Sequence, residues 1–259
     1  MSKPTDDKCC QERSMKVLVT GMSGLIGKAV RTELAGDYEL RALNRSAVEG
    51  VACVQADVSD LDAIRPAFEG IDQVVHLAAI AHGSPNWDQL LPFNVIGTYN
   101  VFEAAREAGV KRVIYASSGA TISGYEQQEP YTSLSKGESP GQWDDITHES
   151  PMHPSGIYGC TKVWAEALAH HYCDKGGMSM IGLRIGAVNE EDKPLQTRQK
   201  SVWCSQGDVA RMVRTCIEAP DEIRYDVFFV VSNNRLSYRD MSHAKDVLGF
   251  EPQDSADDR

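Results

Sequence analysis

Long apolar runs are missing from this sequence. Its longest apolar stretch, residues 74–81, is far shorter than the roughly 20 residues that a membrane-spanning helix needs. Residues 1–14 are polar and contain no apolar core of a secretion signal, so they predict a flexible tail outside the folded domain. We therefore expect a cytoplasmic protein that has no contact with a membrane.

Clusters of positive charge are missing as well, and so are the cysteine pairs of a metal site. The formal net charge is −11, and the lysines and arginines are scattered along the chain. Because a nucleic-acid-binding face needs concentrated basic residues, nucleic acid is a poor candidate partner. The seven cysteines include no Cys-x-x-Cys pair, which predicts reduced thiols and no bound metal.

What is present is an ordinary globular composition with alternating strand and helix signals. Hydrophobic residues make up 42% of the 259 positions, enough for the core of one α/β domain. Short β-branched runs predict strands at residues 15–20, 38–43, 51–55, 73–77, 112–116 and 178–184. Helical spacing predicts helices at residues 25–35, 61–68, 90–108 and 158–173. This alternation predicts a doubly wound parallel Rossmann sheet with helices on both faces, in a single domain that spans residues 15–259.

Two stretches, residues 125–155 and 187–259, are expected to lie mainly on the substrate side of the domain. Residues 124–155 are rich in Gly, Pro, Ser, Gln and Glu and show no periodicity, which predicts a long loop. We hypothesise that this loop is a lid. The final segments are expected to build a small C-terminal cap from a helix at residues 207–218, a strand at 226–231 and a helix at 241–248.

A glycine-rich turn links the first predicted strand to the first predicted helix. Residues 20–27 read T-G-M-S-G-L-I-G. Gly21 permits the tight turn, Gly24 lets the backbone approach a pyrophosphate, and Gly27 lets the helix pack closely on the sheet. The helix N-terminus then presents free N–H groups to the phosphates; a turn without a ligand is the alternative. The expected dinucleotide contacts in this turn are Gly21, Ser23, Gly24, Leu25 and Ile26.

The end of the second predicted strand bears on the choice between NAD and NADP. An acidic residue there accepts hydrogen bonds from the ribose 2′-hydroxyl and repels a 2′-phosphate. This chain has Asn44 and Arg45 instead, so NADP is permitted and slightly favoured; an Arg45 that only faces solvent is the alternative. Asp57 and Val58, after the third strand, are candidates for the adenine edge, although Asp57 could equally begin a helix.

Tyr158 and Lys162 lie four residues apart at the start of a predicted helix, so the phenol and the ammonium share one face. A lysine beside a phenol favours the phenolate and lowers its pKa from about 10. Ser118 ends the fifth predicted strand, where a doubly wound sheet presents ligand-binding residues, and it can bind the reacting substrate oxygen. A chance pair on a helix, with serines that only cap a loop, is the alternative.

Together these motifs resemble the short-chain dehydrogenase/reductases, and among them the NAD-dependent epimerase/dehydratase branch. The similarity covers residues 15–186. Besides the glycine-rich turn it includes H-L-A-A at 76–79, N-V-I-G-T at 94–98, S-S at 117–118, Y-G-C-T-K at 158–162 and L-R-I-G at 183–186. The resemblance implies that Ser118, Tyr158 and Lys162 are catalytic. It also implies that Leu77, Ala78 and Ala79 line the cofactor, and that a homodimer forms through the helices at 90–108 and 158–173.

Residues 198–203 and 242–253 further resemble uronate dehydrogenases and related sugar-phosphate dehydrogenases. This similarity implies that Arg198 holds a sugar carboxylate, a task that suits the paired donors of a guanidinium. A surface arginine on a polar loop is the alternative. The resemblance therefore implies oxidation of a sugar or sugar acid.

The chain also departs from the uronate dehydrogenases at positions that contact substrate. Where those enzymes have Ser-Ser-Asn-His, this chain has S-S-G-A at residues 117–120, and Ala81 and Ala187 replace two further serines. A site that loses these hydrogen-bonding groups is expected to take a different or less polar substrate. The expected substrate contacts are Ala81, Ser118, Gly119, Tyr158 and Arg198.

Three functions are compatible with these residues. The first is an NAD(P)-dependent dehydrogenase that moves a hydride between the nicotinamide and a sugar, sugar acid or similar secondary alcohol, with Tyr158 as acid/base. The second is an epimerase or dehydratase that retains its cofactor, which the lack of a large C-terminal domain disfavours. The third is a dinucleotide-binding sensor without chemistry, which the complete set of Ser118, Tyr158 and Lys162 disfavours.

Overall fold

The predicted parallel sheet is confirmed by a computed structural model that describes residues 14–81 and 86–259. Its strands are β1 Lys16–Thr20, β2 Glu39–Asn44, β3 Ala52–Gln55, β4 Gln73–His76, β5 Arg112–Ser118, β6 Ser179–Ile185 and β7 Tyr225–Val230. They pair in parallel in the order β3-β2-β1-β4-β5-β6-β7. Because the direction of winding reverses between β1 and β4, a crevice lies there beyond the carboxyl ends of the strands.

Helices cover both faces of this sheet. They are α1 Leu25–Leu34, α2 Leu61–Ile64, α3 Trp87–Leu90, α4 Gly97–Glu107, α5 Tyr131–Ser135, α6 Ile157–Gly176, α7 Gln199–Val202, α8 Gln206–Glu218 and α9 Ser242–Leu248. Val30 of α1 and Met212 of α8 are buried on one face, while Phe102 of α4 and Ala169 of α6 are buried on the other. Strand β6 is accordingly buried over its whole length, as expected for a sheet covered on both sides.

The helix predicted at residues 90–108 is interrupted. A π-helical turn, Leu91–Ile96, separates α3 from α4, and the N–H of Gly97 donates to the carbonyl of Pro92. Pro92 has no N–H of its own, so the regular ladder cannot continue through it. The helix predicted at residues 61–68 changes in the same way, from α2 to a 3₁₀ turn, Arg65–Phe68, that contains Pro66.

The long loop predicted at residues 124–155 is only partly correct. A 3₁₀ helix, Gly119–Gln127, runs into this segment, and α5 follows it. Their side chains are buried against distant parts of the chain, in a cluster of Ile122, Leu134, Ile146, Val202, Phe229, Leu236 and Tyr238. Such short helices, which pack largely on distant residues, leave no periodic signal in the sequence.

Two of the three C-terminal segments that were expected to build a small cap belong to the main sheet and its helical layer instead. Residues 226–231 correspond to β7, which is the edge strand of the main sheet, and residues 207–218 correspond to α8, whose buried side chains join the core cluster that contains α1. Phe229 of β7 and the more distal Leu236 and Tyr238 share a buried cluster with Ile122 of the 3₁₀ helix. The small substrate-side layer therefore contains residues 119–146 as well as the C-terminal residues.

Five cysteines of the described chain are free thiols: Cys53, Cys160, Cys173, Cys204 and Cys216. Cys9 and Cys10 lie outside the described residues. Within residues 14–81 and 86–259, no group of three or more His, Cys, Asp or Glu side chains is arranged to hold a metal ion. None of the helices in the same ranges has the length and apolar character that crossing a membrane requires.

Candidate active site

The glycine-rich turn lies between β1 and α1, at the crevice. Gly21 has a φ of +72°, and a Cβ there would lie 3.0 Å from the backbone N of Ala78, so both the turn and the close approach require glycine. A Cβ on Gly27 would lie 2.4 Å from the carbonyl oxygen of Gly21, so α1 packs closely on the turn at this glycine. Gly24 caps α1 without a side chain, so the first N–H groups of α1 stay available to a ligand.

A groove runs along the strand ends from this turn. Its two halves share Gly21, Gly24, Leu77 and Ala79. The half beside β2 and β3 is also lined by the predicted residues Ser23, Asn44, Arg45, Asp57, Val58 and Ala78. The half beside β5 and β6 is also lined by the predicted residues Leu25, Ile26, Ala81, Ser118, Tyr158 and Lys162. All of the residues proposed to bind the cofactor thus line one continuous groove.

Tyr158 and Lys162 lie in the first turns of α6, beside the end of β5. The Nζ of Lys162 donates a 2.8 Å hydrogen bond to the carbonyl of Ala116 and lies 5.8 Å from the centre of the Tyr158 ring. Burial lowers the pKa of Lys162 to about 8, against the opposing effect of the Glu166 carboxylate. The ammonium is therefore anchored by the backbone of β5 at a position that lines the groove.

The phenol of Tyr158 does not have the lowered pKa that its neighbour Lys162 predicts. Burial raises this pKa above its ordinary value, and a hydrogen bond with Ser118 opposes the rise only in part. The prediction was wrong because it counted the nearby charge and omitted desolvation, which disfavours a phenolate. The structure does bring Ser118 and Tyr158 together, as their proposed roles require.

The two neighbouring serines have different surroundings. Ser117 donates a 2.5 Å hydrogen bond to Oε1 of the buried Glu166, which also forms an ion pair with the buried Arg184. Ser118 caps the following 3₁₀ helix by accepting from the N–H of Ala120 at 3.1 Å. Ser117 therefore belongs to a buried network beneath the site, and Ser118 is the serine next to Tyr158.

Asn94 is the first residue of the N-V-I-G-T motif at 94–98, but no role was predicted for it. It lies on the π-helical turn, accepts from the N–H of Ile80 at 2.8 Å and donates to the hydroxyl of Thr161 at 3.3 Å. Ile80 lines the groove and Thr161 precedes Lys162. Asn94 therefore connects the groove wall to the helix that carries Tyr158 and Lys162, and the motif around it was the available signal.

Asn44 and Arg45 line the groove at the end of β2. The amide of Asn44 donates to the hydroxyl of Ser23 at 2.6 Å, and its buried Oδ1 has no partner in the part of the chain that is described. The guanidinium of Arg45 lies 5.4 Å from the centre of the Phe93 ring, which lines the same half of the groove. An unpaired acceptor beside a guanidinium suits a ribose and a nearby anionic group.

Asp57 and Arg198 have partners within the chain. Asp57 accepts from the N–H and the hydroxyl of Ser59, and the N-cap of α2 is Asp60, so Asp57 does not begin the helix. Arg198 donates two 2.6 Å hydrogen bonds to the carboxylate of Glu126. Neither Arg198 nor Gly119 lines the groove, so their substrate contacts stay predictions, and Glu126 was missed by the sequence.

A Rossmann sheet with a glycine-rich turn, and a serine, a tyrosine and a lysine at one end of the groove, define a dinucleotide-dependent enzyme of the short-chain dehydrogenase/reductase type. The NAD dependent epimerase/dehydratase family model matches residues 17–248, and the chain belongs to this family.

Several relatives are sugar dehydrogenases by name. An NAD-dependent glucose-6-phosphate dehydrogenase of Haloferax volcanii is 30% identical over 93% of this chain and 94% of its own length. A uronate dehydrogenase of Agrobacterium fabrum is 34% identical over 93% and 86%. The crystal structure of uronate dehydrogenase from Agrobacterium tumefaciens superposes with a TM-score of 0.79, at 32% identity, over 94% of this chain and 86% of that one. A variant of that enzyme was solved in complex with NAD. The predicted family and the predicted enzyme class are confirmed.

Proposed function

We propose that this protein is an NAD(P)-dependent dehydrogenase that oxidises a sugar or sugar acid. The observation that carries the proposal is the meeting of Ser118, Tyr158 and Lys162 at one end of the groove that begins at the glycine-rich turn. The named relatives, which act on glucose 6-phosphate, arabinose and uronates, support a sugar as substrate class. Epimerase chemistry is not favoured by these relatives.

The groove fits a dinucleotide on three grounds. Gly21 and Gly24 leave space that side chains would fill, the N-terminus of α1 offers free N–H groups, and the buried Oδ1 of Asn44 can accept from a ribose hydroxyl. When bound, the nicotinamide supplies the hydride acceptor. Leu25, Ile26 and Leu77 give the other half of the groove an apolar wall that limits water near the reacting carbon.

Tyr158 is the proton acceptor in the proposed oxidation. The substrate hydroxyl donates to the oxygen of Tyr158, and the hydroxyl of Ser118 holds the same substrate oxygen. Lys162 is anchored by the carbonyl of Ala116, so its charge stays below Tyr158 and stabilises the phenolate that must form. Because burial alone raises the pKa of Tyr158, this support from Ser118 and Lys162 is needed for the tyrosine to work as a base.

The proposed function is tested by incubating the protein with NAD or NADP and a panel of aldoses, uronates and sugar phosphates. Net accumulation of the reduced cofactor is expected with at least one sugar, and the absorbance of the reduced nicotinamide measures it. Conversion of a sugar without net reduction would support the epimerase alternative instead. Cofactor binding without any turnover on a broad panel would support the sensor.

We propose further that NADP is accepted, with Arg45 beside the 2′-phosphate. Replacing Arg45 by Asp is expected to weaken NADP binding by about 10- to 100-fold, since a charge-assisted contact is lost and a repulsive carboxylate is added. Binding of NAD is expected to stay equal or improve. Titration of both cofactors by fluorescence provides the measurement, and an unchanged NADP affinity would show that Arg45 only stacks on Phe93.

We also propose a homodimer through the outer faces of α4 and α6. Tyr99 is 43% exposed on α4, and Trp164 and Leu168 of α6 line the same surface depression. Sedimentation velocity is expected to show a dimer for the wild-type protein and a monomer for Tyr99→Glu, because a charge would be buried in an apolar contact. A wild-type monomer at micromolar concentration would contradict this. The lid role of residues 124–155 and the cytoplasmic location remain predictions.

A further inference from the structure

Arg239 is a buried charge that the proposed reaction does not use. Its side chain is 3% exposed, and its Nε and Nη1 have no hydrogen-bond partner among residues 14–81 and 86–259. A guanidinium stays protonated in proteins, so its burial here leaves two donors of a charged group without a hydrogen-bonded counter-ion. Such a group destabilises the fold unless something outside the chain pairs with it.

The guanidinium of Arg239 lies directly against the residue that follows Ser118. A Cβ built on Gly119 would be 2.3 Å from Nη2 and 2.4 Å from Cζ of Arg239. Gly119 therefore must lack a side chain for the guanidinium to occupy this place. Arg239 itself lines a separate depression with Asp145 and Asp240, but its guanidinium contacts the residue directly after Ser118, which lines the groove.

Two arginines, Arg198 and Arg239, lie in this cluster, and only Arg198 has a hydrogen-bonded carboxylate among the described residues. Arg198 is already bound by both carboxylate oxygens of Glu126, and Tyr238 donates to the same carboxylate at 2.5 Å. One carboxylate thus faces two guanidiniums in this cluster. Burial is the largest effect on the pKa of Arg239 and lowers it, Arg198 lowers it further, and Tyr238 and Glu126 oppose this shift.

We propose that Arg239 binds an anionic group of the substrate, a carboxylate or a phosphate, while the reacting carbon lies between Ser118 and Tyr158. This assignment rests on the proposed dehydrogenase function and makes Arg239, in place of Arg198, the residue that selects acidic sugars. Two parallel N–H donors of a guanidinium match two oxygens of either anion. The guanidinium packs on Gly119, so an anion bound by Arg239 would lie one residue along the chain from the hydroxyl of Ser118.

The test compares charged and neutral sugars on the same protein with saturating cofactor. Rates are measured with D-glucuronate, D-glucose 6-phosphate and D-glucose for the wild type, Arg239→Met, Arg239→Lys and Arg198→Met. For Arg239→Met, kcat/KM on the charged sugar is expected to fall about 10- to 100-fold, since a charge-assisted hydrogen bond is lost. For the same variant, kcat/KM on glucose is expected to stay near the wild-type value. Arg239→Lys is expected to recover part of the kcat/KM that Arg239→Met loses on the charged sugar. The sugar that shows the loss distinguishes carboxylate from phosphate.

Arg235→Met is the matched control. Arg235 lies four positions before Arg239 but is 69% exposed, with its Nε 3.6 Å from an oxygen of Asp257. This variant is expected to keep the wild-type preference among the three sugars. Arg239→Met is expected to melt a few degrees higher than the wild type, because it removes an uncompensated buried charge.

Three outcomes would overturn the assignment. One is an equal loss on all three sugars in Arg239→Met together with a lower Tm, which would give Arg239 a purely structural role. Another is a selective loss in Arg198→Met alone, and a third is a wild-type preference for glucose over both charged sugars. Calorimetric titration of glucuronate and glucose 6-phosphate into the wild type and Arg239→Met tests the same site without turnover. If no dehydrogenase activity is found, this titration still tests whether Arg239 binds the anion.

Discussion

Replacing Tyr158 by Phe is expected to lower kcat/KM by about 10²- to 10⁴-fold, the range that positioned proton transfer contributes to catalysis. The substitution removes one oxygen and keeps the ring, so the contact with Lys162, 5.8 Å from the ring centre, is retained. Ser23, Asn44 and Arg45 lie in the other half of the groove and the backbone of the glycine-rich turn is untouched, so cofactor affinity is expected to stay unchanged. Steady-state rates and a fluorescence titration of the cofactor measure the two effects separately.

Tyr38→Phe is the matched control for this substitution. Its hydroxyl donates to Glu218 at 2.8 Å on the surface, and Tyr38 lines neither half of the groove. Activity of this variant is expected to equal that of the wild type. A Tyr158→Phe protein with activity within tenfold of the wild type would remove Tyr158 from the proposed proton transfer. A large loss of cofactor affinity would instead assign it to binding.

The sequence predicts most of the central sheet because each strand there is short, apolar and followed by a turn or helix signal. Residues 15–20, for example, are β-branched and end at glycine, and β1 spans Lys16–Thr20. The interruption at Leu91–Ile96 could not be foreseen from apolar spacing, although Pro92 stood in the predicted helix. The 3₁₀ helix Gly119–Gln127 was missed because its buried Ile122 packs in a cluster that includes Phe229, Leu236 and Tyr238, more than 100 positions away.

The same reasoning explains which parts of the site were predictable. Groove residues such as Gly24 and Ser118 stand at strand ends, and in a parallel sheet all of these ends meet at one edge. Chain order alone therefore brings them together. Glu126, in contrast, meets Arg198 across 72 positions, and Arg239 meets Gly119 across an even longer separation. No local sequence pattern encodes such pairs. The presence of two arginines and one glutamate beside the site could therefore be recognised only from the structure.

Replacing Glu166 by Gln is expected to cost about 3–5 kcal/mol of unfolding free energy, because it leaves a buried arginine without its counter-charge. Both members of the Glu166–Arg184 pair are only 2% exposed, with 2.9 Å between Nη2 and Oε2. Arg184 has no other carboxylate bonded to it among the described residues. Urea unfolding followed by circular dichroism gives the free energy, and Glu107→Gln, in a surface pair with Arg65, should behave like the wild type.

The double variant Glu166→Leu/Arg184→Met separates the ion pair from the packing around it. Apolar residues of similar size remove both buried charges, so this protein is expected to be more stable than Glu166→Gln alone. Its activity is nevertheless expected to fall, because the hydroxyl of Ser117 loses its acceptor next to Ser118, and Lys162 loses the carboxylate that supports its charge. A double variant with wild-type activity would show that the buried pair only holds α6 to β6. Loss of activity with recovered stability would show that it positions Ser118 and Lys162.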